Sequence, residues 1–316
     1  MSTAIQSIIK AAFPKNGPLN IVLVNPNENY SRYLSYTGHN FYFLGREWNH
    51  IKCPIPTNVC EAKVLQQNME LDLVVCFGRQ RGFYESTQIA KNYHIPLILF
   101  ERDLPSPNQK KEKVSGDVNV FISKYQAQEW GFDKEYYAVN NCVDPYLFTS
   151  GNKMPEVLTA INRWRQRDWS HGFRYYHSKI DKKIIPVKII EEMVHWQDLA
   201  EIYSHSKIYF NPISRVPQPT QILEAMASGC IVISVDSVYN REIIKNNFNG
   251  FLINTTNPAQ VINYILKDKS LTHNQICYNA ASTVYENFSV NDFVKNWNKI
   301  FKIASGKAYT GENYES

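Results

Sequence analysis

Three arginines crowd one short stretch of this chain, Arg163, Arg165 and Arg167 in NRWRQRDW, directly after an apolar run, Val157 to Ile161, that reads as a strand. A guanidinium offers five donors in a rigid fork that fits phosphate or carboxylate, so the grouping points to an anion. One arginine would pass as surface charge; three beside one strand are harder to assign to solvation. A second arrangement of the same kind lies in NPISRVPQPTQILEAMASGCIVIS, Asn211 to Ser234. Ile208 to Phe210 reads as a strand, Pro212, Pro217 and Pro219 punctuate a loop, and a short helix runs to Gly229, where a C′ residue needs positive φ. Ile231 to Val235 then reads as a buried parallel strand. With Gln218 as N-cap and Pro219 at N1, the amides of Thr220 and Gln221 have no intrahelical acceptor. Unpaired amides on a positive helix end suit a phosphate, and a loop opening a helix at a strand's carboxyl end is where open α/β sheets bind ligands. Plain strand–helix connections share that geometry, so it names no ligand by itself.

Other chemistries find less support. No Asp-x-Asp occurs, and Glu70-Leu71-Asp72 reads as a solvated strand start. The eight histidines lack metal-ligand spacing, and no Ser-His-Asp set or close carboxylate pair is apparent. No metal and no cofactor are expected. The cysteines at 53, 60, 76, 142, 230 and 277 show no paired spacing, and Cys76 and Cys230 sit in apolar runs as small hydrophobes. With no span-length apolar run and no signal-peptide layout, a cytoplasmic protein without membrane insertion is expected. A formal charge of +5 permits an anionic partner without requiring one. Ala4 to Phe13 is amphipathic, and packing on the first domain is preferred to a membrane interface.

These residues need elements to hold them. Strand-like runs at Asn20 to Val24, Leu71 to Cys76, Leu97 to Phe100 and Val118 to Ile122 alternate with helical patterns such as Glu28 to Tyr36 and Tyr84 to Tyr93. Val157 to Ile161, Val187 to Ile190, Lys207 to Phe210 and Ile231 to Val235 repeat the theme. The alternation predicts an α/β protein with two doubly wound parallel sheets. The polar Thr149 to Pro155 stretch places the join, giving domains over 1–150 and 151–289. Val290 to Ala304 has helical apolar spacing and either covers its own sheet or crosses back to the first; 306–316 reads as a mobile tail.

LEAMASGCIVIS, then Glu242 and NGFL, resembles the donor segment of retaining nucleotide-sugar glycosyltransferases of GT-B fold. HWQDLAEIYSHSKIYFNP, NNCVDPYLF and VFISKYQAQEWGF extend the resemblance, and INRWRQRDWSHGF resembles a bacteriophage branch of these enzymes. The match is strong over the last third and weaker over the first hundred residues. It implies two Rossmann-like domains facing a cleft, with the nucleotide-diphosphate sugar on the second. The family has two glutamates with seven residues between them; the second is Glu224, which implies a ribose contact, and the first is replaced by Val216. Val238 and Tyr239 stand where two glycines usually precede the Glu242 position, and Cys142 where glycine is usual. An Arg and a Lys five apart normally meet the diphosphate; Asn162 and Arg167 have that spacing, and Arg163 can supply the missing charge.

The resemblance assigns the acceptor to the first domain. Glu101 and Arg102 end a strand there, Arg79 and Arg81 follow the preceding one, and Lys110, Lys111 and Lys113 form a basic loop. Each of these also reads as ordinary loop charge. The preferred acceptor is a hydroxymethylated base in duplex DNA, with these cations on its phosphates. A surface polysaccharide or lipid-linked glycan is the alternative acceptor. A nucleotide-sugar-binding protein without transferase activity also stays open, because Val216 replaces a glutamate.

Overall fold

The computed structural model describes residues 17–79, 82–105, 114–160, 178–179, 186–254, 257–267 and 271–307. The chain divides into two compact units, one reaching Asn140 and resuming at Asn291, the other Asn141–Val290. Among the described residues the first unit carries a seven-stranded sheet and the second a five-stranded one, and every strand pair is parallel.

The first unit runs β1 (Asn20–Val24), α1 (Glu28–Ser35), β2 (Asn40–Leu44), β3 (Val59–Ala62), β4 (Leu73–Phe77), α2 (Phe83–Tyr93), β5 (Leu97–Glu101), β6 (Val118–Phe121), α3 (Lys124–Glu129) and β7 (Tyr137–Ala138). Its strand order, β3-β2-β1-β4-β5-β6-β7, reverses between β1 and β4, the crevice position where doubly wound sheets take ligands. β4 and β5 are buried at every position, as apolar strands covered on both faces must be. Capping starts the helices: Asn27 accepts from the Tyr30 amide at 3.2 Å, and Ser123 from the Gln126 amide at 3.3 Å.

The last helix, Val290–Ser305, belongs almost wholly to this first unit. It buries Phe293, Trp297, Ile300, Phe301 and Ala304, a stripe at helical spacing. Trp297 is fully buried, stacks edge-on to Phe100 at 5.2 Å, and donates its indole N–H to the Tyr30 hydroxyl at 3.0 Å. The start of the tail is tied as well, since Lys307 Nζ donates to the Asp117 carbonyl at 2.7 Å.

The second unit contains β8 (Met154–Ala160), β9 (Val187–Ile190), α4 (Trp196–His205), β10 (Ser206–Asn211), α5 (Thr220–Ala227), β11 (Ile231–Val235), β12 (Phe251–Ile253), α6 (Pro258–Lys267) and α7 (Leu271–Asn287), with strand order β12-β11-β10-β8-β9. The units part at Asn140/Asn141, ten residues before the sequence-based boundary at 150. Asn141 to Phe148 belong with the second unit because Val143 bridges to Ser289, and Val143 and Phe148 enter its core beside Leu158, Tyr203 and Leu223. α5 buries Ile222, Leu223, Ala225 and Met226 in that core. It stops at Gly229, whose φ of +72° suits glycine; a Cβ there would also come within 2.8 Å of Ser150 Oγ.

Candidate nucleotide site

The segment leaving β10 is held from several sides. Asn211, fully buried at the strand end, donates to Ser234 Oγ at 2.8 Å and to the Ile213 carbonyl at 3.2 Å. Asn240 Nδ2 donates to the carbonyls of Ile213 and Val235, both at 2.8 Å. Further along, Gln218 adopts φ +40°. Its Oε1 accepts from the Asn141 amide at 3.0 Å, its carbonyl from Asn141 Nδ2 at 2.8 Å, and its Nε2 donates to Glu242 Oε2 at 3.1 Å. The sequence singles out neither Asn141 nor Asn240, and Gln218 only as an expected N-cap; their common signal is an amide side chain beside a turn, too widespread to identify them.

The helix start is displaced by one residue from the sequence expectation. Pro219, not Gln218, is the N-cap, with φ −56°, ψ 120° and no side-chain cap. Gln218 cannot cap because its side chain is engaged with Asn141 and Glu242. The Ile222 amide turns back to the Pro219 carbonyl at 3.1 Å. Thr220 and Gln221 are therefore the first helical residues, half-buried, with amides that have no intrahelical acceptor. The shift keeps the two amides the sequence pointed to.

Glu224 lies one turn further along α5, half-buried, with Oε2 out of solvent. Its carboxylate stands beside the phenol of Tyr203, which in turn neighbours Tyr209; the two rings are 5.6 Å apart and fully buried. Burial first, then the neighbouring charges, pushes both phenols well above their ordinary range, so they are neutral hydroxyls. The Ala160 amide also reaches the Tyr209 oxygen. Glu224 is thus placed near the carboxyl end of β8, from which the chain enters the arginine-rich stretch. Asn162, Arg163, Arg165 and Arg167 lie outside the described residues, as do Arg81, Lys110, Lys111, Lys113 and the Ala4 to Phe13 segment. Val216 is half-buried in the loop.

In the first unit the acceptor candidates are differently employed. Glu101 is 2% exposed and accepts the amides of Arg79, Arg102 and Asp103, each at 3.1 Å. Arg79, also 2% exposed, pairs with it at 3.3 Å. The Arg79 guanidinium lies 5.0 to 5.4 Å from the ring centroids of Trp130, Phe132 and Phe121. A buried guanidinium stacked on three rings offers no face to a DNA backbone, so the phosphate-binding role expected of Arg79 is withdrawn. Glu101 is likewise a tie between the loops after β4 and β5 rather than an open carboxylate. Burial pushes its pKa up to about 7, against the pull of the Arg79 amide and guanidinium. Arg102 is half-buried with its guanidinium 5.2 Å from the Tyr30 ring centroid.

Among the described residues no cluster of three or more His, Cys, Asp or Glu is placed to hold a metal, and no helix is long and apolar enough to cross a membrane.

Two parallel α/β units of this kind define the GT-B architecture. The family profile described as Glycosyl transferases group 1 matches residues 180–282, a segment that contains the β10 loop, α5 and Glu242. HepE of Anabaena in complex with UDP and glucose superimposes with a TM-score of 0.70 at 12% identity, over 89% of this chain and 99% of that one. Sucrose-phosphate synthase from Thermosynechococcus elongatus gives 0.70 at 11% identity, covering 91% and 99%. A glycosyltransferase from Rickettsia africae gives 0.63 at 15%, covering 92% and 99%. At such identities the likeness concerns the fold. No curated protein matches the chain.

Proposed function

We propose that the protein is a retaining, metal-independent glycosyltransferase that takes a sugar from a nucleotide diphosphate. The observation that carries this reading is that the segment matched by the glycosyltransferase profile is the one that presents the Thr220 and Gln221 amides and Glu224 on one helix. In this reading the two amides and the cations Arg163 and Arg167 receive the diphosphate, Asn162 stands with them, and Glu224 accepts a ribose hydroxyl. Because HepE has been captured with UDP, a uridine nucleotide heads the donor candidates.

Transfer needs stabilisation of the charge growing on the departing diphosphate, and oriented amides with guanidinium groups supply it. The acceptor hydroxyl attacks the anomeric carbon on the face the diphosphate leaves. A new C–O bond forms as the old one breaks, and the acceptor's proton passes to a leaving phosphate oxygen. No protein nucleophile takes part, so catalysis is positioning plus electrostatics. Incubation with a panel of nucleotide sugars, with and without EDTA, tests the reading; the product should keep the donor's anomeric configuration and form in the chelator. Arg167→Ala should lower turnover by about 10²–10³ while changing donor affinity less. Activity abolished by EDTA and restored by magnesium would overturn the metal-independent part.

For the acceptor, the reading retains a hydroxymethylated DNA base, resting on the phage-like INRWRQRDWSHGF stretch and the formal charge of +5, with Arg81, Lys110 and Lys111, and no longer Arg79, as the contacts to its phosphates. Hydroxymethylcytosine-containing duplex, digested and read by nucleoside mass spectrometry, tests it. If no glycosylated nucleoside forms with a donor the protein binds, the DNA acceptor is excluded and the transferase reading stands.

A further inference from the structure

Gln218 is a long side chain where the backbone favours none. At φ +40° an L-residue is strained, and glycine or asparagine would fit the turn more readily. What glutamine adds is reach. It is 3% exposed, and its side-chain oxygen, side-chain nitrogen and carbonyl all have partners. Two of its bonds go to Asn141, itself 6% exposed and 77 residues earlier; the third goes to Glu242, 24 residues later. The residue immediately after this strained, pinned position is Pro219, the N-cap of α5. Proline cannot donate a hydrogen bond and its φ is fixed, so the direction of the first helical amides follows from the orientation of the peptide before it.

We propose that Gln218 is a positioning residue for the diphosphate: clasped to Asn141 and Glu242, it fixes the left-handed turn that aims the Thr220 and Gln221 amides. The inference rests on the reading of those amides as the donor's diphosphate contact. The clasp makes the loop pre-organised, so the ligand does not have to order it on binding.

The test separates strain from aim. Gln218→Gly relieves the backbone strain and removes the two side-chain bonds, to the Asn141 amide and to Glu242, while its carbonyl can still accept from Asn141 Nδ2; Asn141→Ala removes that carbonyl bond and keeps the other two. Calorimetry is run with the nucleoside diphosphate that the wild type prefers and with the corresponding nucleoside, and melting temperature is recorded in parallel. Both variants should bind the diphosphate about tenfold more weakly, with nucleoside binding unchanged. The double variant should bind the diphosphate no more than about twentyfold more weakly than the wild type, short of the roughly hundredfold that two independent losses would give, because both disrupt one unit. A Gln218→Gly protein that folds and binds the diphosphate as the wild type does would overturn the positioning role while leaving the donor site intact. Equal losses for nucleoside and diphosphate would overturn it too, since the effect would not lie at the amides. Wild-type protein that binds no nucleoside diphosphate overturns both the site reading and this inference.

Discussion

Glu101 places a carboxyl where the chain can least solvate a charge, 2% exposed, against Arg79 and three backbone amides. Its folded pKa, up to about 7, lies above the ordinary 4.5. A raised acid favours the proton in the folded state, so its stabilising contribution is complete below about pH 4.5 and disappears as pH rises through about 7. The upper bound on that contribution is about 3 kcal/mol. Urea unfolding of Glu101→Gln, measured from pH 4.5 to 8, should show a flatter pH dependence than the wild type; parallel profiles would remove Glu101 as the titrating group. The residue illustrates why Glu101 and Arg79 read from sequence as open loop charges. A charged residue just after a strand looks the same in sequence whether it faces solvent or a ring cluster. The rings that swallow Arg79 come from Phe121, Trp130 and Phe132, more than forty positions away.

At the scale of elements, the two-fold and 3.6-fold patterns located the strands and helices that hold the site within a residue or so. β10, β11, α5 and the terminal helix are apolar where they are buried, and local periodicity reports that directly. β2 and β3 escaped. NFYFL follows a turn without alternation, and β3 is four residues at a sheet edge with three positions not buried. The unit boundary was placed late because Thr149 to Pro155 has linker composition; yet Gly151 there packs against Ser204 and donates its amide to the Ser204 carbonyl at 3.2 Å. The actual transition at Asn140/Asn141 contains neither glycine nor proline and is set by long-range bonds to Gln218. The terminal helix offers the clearest energetic test at this scale. Trp297→Ala removes a fully buried ring and the indole N–H that donates to the Tyr30 hydroxyl, and should destabilise the first unit by about 3–5 kcal/mol in denaturant unfolding. A loss under about 1 kcal/mol would mean that the helix is not integral to that unit's core.

For the molecule as a whole, the account depends on one claim: that the second unit binds a nucleotide diphosphate with Glu224 on its ribose. The two-unit fold and the profile over residues 180–282 make that claim natural, while Val216 at the position of a family glutamate keeps the transferred sugar unassigned. Glu224 is suited to the measurement because it is half-buried on α5, and its replacement should spare the core formed by Ile222, Leu223, Ala225 and Met226. Calorimetric titration of the wild type and Glu224→Ala with UDP, GDP, ADP, CDP and dTDP addresses the claim most directly. The account predicts saturable binding of at least one of them by the wild type, weakened roughly ten- to a hundredfold in the variant, as for a lost charge-assisted hydrogen bond of about 1.5–3 kcal/mol. A wild type that binds none of the five, or a folded Glu224→Ala protein whose affinity is unchanged, would contradict it.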